Sequence, residues 1–162
     1  MKAMFPVLLL MAALGSPIDL LADQAKEDPV IYQGHFAIQE GPDKVAELSG
    51  FNQFVKFYPG NRFVRLYVPY QYSLKVDPAA IGQALDQAFK EAGTGDAFIR
   101  SDFGVLKERA IAHVDHFERA GDQILFDCGV SAPCRIEFED DRMRIVKKGI
   151  VKDHVFEYLH RQ

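Results

Sequence analysis

The strongest constraint on the fold comes from two alternating runs that flank a tight turn. FVKFY (54–58) and RFVRLYV (62–68) are separated by PGN, in which Pro and Gly favour a turn. Because alternate side chains of a strand point to opposite faces, this pattern predicts an antiparallel hairpin. The second run has an aliphatic face and an aromatic, basic face, formed by Val64, Leu66 and Val68 and by Phe63, Arg65 and Tyr67 respectively.

Three further segments predict strands towards the two ends of the chain. VIYQGHFAIQ (30–39) predicts a first strand, and EGPDK after it is a turn signal. CRIEFEDDRMRIV (134–146) alternates apolar and charged residues on both sides of two aspartates, which predicts a second hairpin. HVFEYLH (154–160) predicts a terminal strand.

The segment 105–119 is ambiguous between helix and strand. Its apolar residues have helical spacing at Leu106, Ala110, Val114 and Phe117, whereas HFERAGDQILF reads as two strands around a Gly-Asp turn. We predict a strand over 112–119, because the run after the turn needs a partner that the preceding run supplies locally.

A helix is predicted over 78–92. Asp77 is placed to cap its free amides, Pro78 suits the first helical position, and Gly93 can end the last turn. An apolar stripe at helical spacing marks the face that packs on the core, and it consists of Ile81, Leu85, Ala88, Phe89 and Ala92.

This order of elements predicts a mainly β fold with one inserted helix. Sequential strands joined by short turns pair as antiparallel neighbours, so we expect a meander that curls into a small barrel with the helix packed on or across it. A chain of 162 residues suits one domain, predicted over 30–162 after a flexible lead at 23–29.

A resemblance to known proteins rests on three segments and on the helix that follows the first of them. In chain order the segments are FVKFYPGNRFVRLYV, HFERAGDQILFD and RIEFEDDRMRIV. The chain resembles small up-and-down, lipocalin-like β-barrels found among uncharacterised exported bacterial proteins. The resemblance covers about two thirds of the mature chain and lacks the lipocalin-type Gly-x-Trp, since the sequence has no Trp. It implies a fold and no activity.

The first 22 residues are predicted to be a secretory signal peptide. One Lys precedes an apolar run over 3–14, which fits a signal and falls short of the about 20 residues that a membrane-spanning helix needs. Cleavage is expected after Ala22, with Gly15 as the alternative site. The mature protein is therefore expected to be exported without stable membrane insertion, to the periplasm if bacterial and otherwise to the medium.

The two cysteines, Cys128 and Cys134, are predicted to form a disulfide. Export exposes thiols to an oxidising compartment, and the spacing matches neither a close zinc-ligand pair nor the Cys-x-x-Cys of a redox site. Closing a loop of this size stabilises the fold by about 2 kcal/mol in the chain-entropy account.

Charge and motifs exclude several function classes. A formal net charge of −4 argues against nucleic acid as the main partner, and no cofactor or metal is predicted. The run HVDH (113–116) contains residue types that act in acid–base catalysis. On a strand, however, His113 and Asp115 share a face while His116 lies on the other. A small hydrolase that uses His113 and Asp115 is therefore only the second alternative.

An aromatic and basic group after the first turn is the candidate binding site. Tyr and Arg combine contact area with polar groups and are enriched at interface hot spots, which favours Arg65, Tyr67, Tyr70 and Tyr72. Whether the helix covers these rings stays open. The predicted function is a non-catalytic exported protein that binds another protein in an inhibitor or immunity-type role, and a barrel carrier for a small apolar ligand is the first alternative.

Overall fold

The computed structural model describes residues 30–37, 50–121, 123–128, 133–147 and 154–161. The predicted signal, the lead at 23–29 and the turn at 40–44 lie outside these residues. The described part of the chain forms ten strands and two helices: β1 (Ile31–Ala37), β2 (Gly50–Tyr58), β3 (Arg62–Pro69), α1 (Tyr70–Ser73), α2 (Pro78–Glu91), β4 (Ala97–Ser101), β5 (Ala110–His116), β6 (Glu118–Ala120), β7 (Gln123–Phe126), β8 (Cys134–Glu139), β9 (Arg142–Lys147) and β10 (His154–Arg161).

All strand pairings among these elements are antiparallel, which confirms the mainly β, antiparallel prediction. The strand order is β4-β5-β3-β2-β1-β10-β9-β8-β7-β6. Two five-stranded halves therefore meet at β1 and β10, where Tyr32 lies opposite Arg161 and Gln33 opposite His160. Both predicted hairpins form, with Phe57 opposite Phe63 in the first and Phe138 opposite Met143 in the second.

Within the ambiguous segment, residues 112–119 are extended as predicted, but they belong to two strands rather than one. The first, β5, pairs with β3 and β4, and the second, β6, pairs with β7. The change of neighbour occurs at Phe117, whose backbone N–H donates to the carbonyl of Asn61 at 2.9 Å. No pairing among the described strands joins β4 to β6, so these two strands end the described sheet, which is not closed into a barrel.

The sheet curls, because residues far apart in the strand order share one core. The aromatic cluster lies between the two halves, and its buried members are Tyr32, Val55, Phe63, Phe117, Ile124, Phe126, Cys134, Ile136, Met143 and Ile145. Phe63 on β3 contacts Phe126 on β7 edge-to-face, with 4.9 Å between ring centroids. This contact requires the β7 half to fold over the face of β3 that carries Phe63.

The opposite face of the first half forms the helix-side cluster with α2. Its buried members are Phe54, Val64, Leu66, Val68, Ile81, Ala84, Leu85, Ala88, Phe103, Leu106, Ala110, Ala112 and Val114. The helix thus covers the aliphatic face of β3, and the aromatic, basic face turns towards the other half of the sheet. The space between the two halves of the curled sheet therefore contains the aromatic cluster and not the aliphatic face of β3.

The signals that predict α2 act as expected at both ends. The Asp77 side chain accepts a hydrogen bond from the N–H of Ala79 at 2.9 Å, and Gly93 adopts φ +61° after the last turn. Arg62, which is buried, donates to the carbonyls of Gly93 and Gly95. The loop after the helix is therefore fixed to the start of β3.

One strand is missed by the sequence analysis. β4 is five residues long, follows the loop after α2 and forms one end of the strand order. Its side chains alternate between half-buried and exposed, with Phe98 and Arg100 exposed. Ala97 and Ile99 face the other way and pack against the helix-side cluster.

Candidate functional site

A polar row, formed by Arg65, His113 and Asp115, lies on the face of β3 and β5 that turns away from α2. Pairing places Arg65 opposite His113, and Phe63 opposite Asp115. Arg65 donates from Nε and Nη2 to one carboxylate oxygen of Asp115, at 3.1 and 3.0 Å. The ion pair is largely withdrawn from solvent, because the two side chains are 8% and 17% exposed respectively.

The pair is held by neighbours on both sides. The Arg65 guanidinium lies 5.0 Å from the ring centroid of Phe126, a distance within cation–π range. Phe126 belongs to β7, in the other half of the sheet. On the other side, Arg65 donates from Nη1 to the hydroxyl of Tyr67 at 3.5 Å, and the same hydroxyl accepts from Nε2 of Gln53 at 3.1 Å. Arg65 is thus a structural link between the two halves as well as the partner of Asp115.

Burial and the Arg65 charge set the protonation states of this row. Burial raises the pKa of the Asp115 carboxyl, and the charge and hydrogen bonds of Arg65 oppose that rise. Burial, followed by the positive charge of Arg65, lowers the pKa of His113 from 6.5 to about 4. His113 is therefore neutral at pH 7, and within the described residues its ring contacts aromatic neighbours and makes no hydrogen bond.

The His113 ring lies between two aromatic side chains, one from each neighbouring strand. Tyr67 on β3 and Phe98 on β4 both meet the imidazole edge-on, with centroid distances of 5.8 and 4.9 Å. Phe98 is directly opposite His113 in the β4–β5 pairing and is 61% exposed. We call Tyr67, Phe98, Arg100 and His113 the edge face, because they lie on one side of the sheet beside its β4 end.

Lowering the pH should destabilise the fold through His113. Its pKa is 6.5 in an unfolded chain and about 4 in the folded one, so between these values the unfolded state binds more protons. The stability that His113 contributes is thus present above pH 6.5 and is lost as the pH falls towards 4. NMR titration of the His113 ring and urea unfolding at pH 7 and pH 5 measure both effects.

The matched control is His113→Gln, which cannot titrate and retains Asp115. It should lose less stability between pH 7 and pH 5 than the unmodified protein does. An imidazole that titrates near 6.5, or equal losses in the two proteins, would contradict the assignment.

The structure separates the residues that the sequence groups into one binding patch. Arg65 is 7% exposed and Tyr67 lies beside it on the edge face. Tyr70, in α1, contacts the His35 ring edge-on at 4.8 Å. The Tyr72 hydroxyl accepts from the N–H of Lys107 at 2.7 Å, and its ring packs against the helix-side cluster. Tyr67 and Tyr72 therefore lie on opposite faces of the sheet.

Phe98 is the site residue that sequence reasoning misses. The signal is present in AFIRS (97–101), where apolar and polar residues alternate in part, but the run is short. Among the described strands it pairs with β5 alone, and the assignment of β5 is itself ambiguous from sequence. A large exposed ring on an end strand is visible only once this pairing is known.

The predicted disulfide is present between Cys128 and Cys134, with 5.7 Å between the Cα atoms. It connects the segment that follows β7 to the first residue of β8. Within the described ranges, no group of three or more His, Cys, Asp or Glu side chains is placed to hold a metal ion. None of the helices in that part of the chain is long and apolar enough to cross a membrane.

In comparisons with known protein families, with curated proteins and with solved structures, nothing matches this chain.

Proposed function

We propose that this chain is a non-catalytic, exported binding protein that engages another protein through the edge face. The observation that carries the proposal is the exposure of Phe98. Its large ring is 61% exposed, and the His113 ring contacts it edge-on from the neighbouring strand. Aromatic residues with fixed geometry give contact area at a low entropic cost, which is why they are enriched at protein interfaces. Tyr67 and Arg100 add polar groups beside it.

Export is part of the same proposal. It is supported by the apolar run over 3–14 and by the disulfide between Cys128 and Cys134, which suits an oxidising compartment. The partner is accordingly sought in the periplasm if the source is bacterial, and otherwise outside the cell.

The carrier of a small apolar ligand has less support. A carrier needs free volume inside the curled sheet, but the space between its halves contains rings that contact one another: Tyr32, Phe57, Phe63, Phe117, Phe126 and Phe138.

We further propose a barrel-like architecture, with its corner at Phe117, where the strand running from β5 into β6 exchanges β3 for β7 as its neighbour.

The hydrolase alternative also has less support. Asp115 and His113 share a face as the sequence predicts, but the Asp115 carboxylate is bound by Arg65 and makes no hydrogen bond to the imidazole in the described structure. A carboxylate that orients a general base normally bonds directly to the ring.

The test is affinity capture from the exported fraction of the source cells. We compare the unmodified protein with Phe98→Ser and with Leu74→Ser, which removes a side chain of similar exposure, 67%, away from the edge face. The unmodified protein and Leu74→Ser should recover the same partner. Phe98→Ser should bind that partner at least about tenfold more weakly, as expected for an interface hot spot.

All three proteins must first give the same circular dichroism spectrum and melting temperature. Equal recovery of the same partners by all three would contradict the proposal, as would loss of binding in Leu74→Ser alone.

A further inference from the structure

One edge of β4 has no neighbour among the described strands, and we call it the free edge. The direction of the β4 backbone groups follows from two contacts of β5, the strand on its other side. The N–H of His116 donates to the carboxylate of Asp96, just before β4, at 2.9 Å. The N–H of Phe117 donates in the opposite direction, to Asn61 just before β3, at 2.9 Å. Successive N–H groups of a strand point to alternate edges, so the even-numbered residues of β5 direct their backbone groups towards β4.

The register of the β4–β5 pair then assigns the groups of β4. Ala110, Ala112 and Val114 lie opposite Ser101, Ile99 and Ala97. In an antiparallel pair directly opposite residues share their hydrogen-bonding state, so these three residues of β4 bond to β5. Phe98 and Arg100 therefore direct their N–H and C=O groups to the free edge.

The same two residues also have the exposed side chains of β4. Phe98 and Arg100 are two positions apart, so their side chains lie on one face of the sheet. Arg100 forms no ion pair with any residue that the structure describes. A strand added beside β4 would thus meet two pairs of backbone groups, an apolar ring and an unpaired positive charge.

We propose that the partner binds by adding an extended segment to β4 as an antiparallel strand, with an acidic residue opposite Arg100 and an apolar residue opposite Phe98. This inference rests on the proposed function and specifies how the edge face recognises its partner. Strand addition obtains affinity from main-chain hydrogen bonds and specificity from alternate side chains. In an antiparallel segment the acidic residue precedes the apolar residue by two positions.

The first test uses a synthetic peptide in place of the partner. The probe is acetyl-Thr-Glu-Val-Ile-Thr-amide, and the matched control has Lys instead of Glu. In NMR titrations the probe should shift and saturate the amide signals of Phe98 and Arg100, and it should bind about fivefold more tightly than the Lys peptide. Equal binding of the two peptides, or shifts confined to other strands, would overturn the proposal.

The second test separates the backbone from the side chain at position 100. Arg100→Ala removes the charge and retains the outward N–H, whereas Arg100→Pro removes both and leaves the β4–β5 hydrogen bonds intact. Both variants should fold, and Arg100→Pro should bind the peptide about fivefold more weakly than Arg100→Ala, since one hydrogen bond is lost. Equal affinities would show that the added segment does not use this donor.

Hydrogen exchange identifies any other occupant of the edge. In the free protein the amides of Phe98 and Arg100 should exchange rapidly, and the peptide should protect them. Protection without peptide at every protein concentration would mean that the edge is already covered. Protection that increases with protein concentration would mean that a second copy occupies it, and either result would overturn the proposal.

Failure of this inference is distinguishable from failure of the proposed function. If Phe98→Ser loses the captured partner while Arg100→Pro and Arg100→Ala bind it equally, the edge face binds a partner but not by strand addition. If Phe98→Ser retains the partner, the proposed function itself is wrong.

Discussion

Replacing Phe63 with alanine should lower the free energy of unfolding by about 4 kcal/mol, the effect of emptying a buried aromatic site. Phe63 is fully buried, its ring stacks on Phe57 with 5.7 Å between centroids, and it contacts Phe126 edge-to-face. Since β3 and β7 belong to different halves of the sheet, the variant removes a contact that holds these halves together. Urea unfolding followed by circular dichroism measures the loss.

Phe98→Ala is the matched control for this prediction. Phe98 lies on the same side of the sheet as Phe63, but it is 61% exposed, so its truncation should change stability by no more than about 0.5 kcal/mol. Similar losses in the two variants would contradict the assignment of Phe63 to the core and of Phe98 to the surface.

Arg65→Met should destabilise the fold by about 3 kcal/mol, because it leaves the Asp115 carboxylate buried without its partner. The loss should be greatest at neutral pH. Burial already raises the pKa of Asp115, and removing Arg65 raises it further, so protonation of the carboxyl relieves the penalty as the pH falls. Urea unfolding at pH 7 and pH 4 measures the difference.

The double variant Arg65→Met with Asp115→Leu separates the unpaired charge from lost packing. With no charge left in the row, it should recover most of the stability at pH 7, as buried ion pairs replaced by apolar residues commonly do. A double variant as unstable as Arg65→Met would mean that the contact between the guanidinium and the Phe126 ring, and not the ion pair, is the main contribution of Arg65.

The parts of the fold that the sequence predicts are those with local signals. PGN between two alternating runs specifies the first hairpin. Asp77 and Gly93 mark the two ends of α2. The spacing of Cys128 and Cys134 suits a disulfide that closes a short loop. In each case the interacting residues are close in sequence. Propensity, turn chemistry and chain entropy then act on the same short segment and favour the same structure.

The parts that the sequence does not predict depend on distant contacts. The alternation in RFVRLYV divides β3 into two faces, but it does not reveal which element covers each face. The helix covers the aliphatic face, and the β7 half covers the ring of Phe63. The short β4 shows the same limit, since its existence depends on pairing with β5.

The candidate site divides in the same way. The alternation in β3 predicts that Tyr67 shares a face with Arg65, because residues two apart on a strand point the same way. The sequence predicts Arg65 as a binding residue, whereas in the structure it is buried and pairs with Asp115, which lies 50 positions further along the chain. Phe98 was missed because an exposed ring is significant only when its strand is known to be at a sheet edge.

The pairing of β1 with β10 has a consequence for how the protein forms. The last described strand lies in the middle of the strand order, next to the first one, so synthesis must reach Arg161 before the two halves can be joined by strand pairing. Until then each half is an incomplete sheet with one more open edge, exposed to other chains. Shortening the protein at its carboxyl end would thus divide the molecule internally, and assembly should be slow, as is usual where contacts span most of the polypeptide.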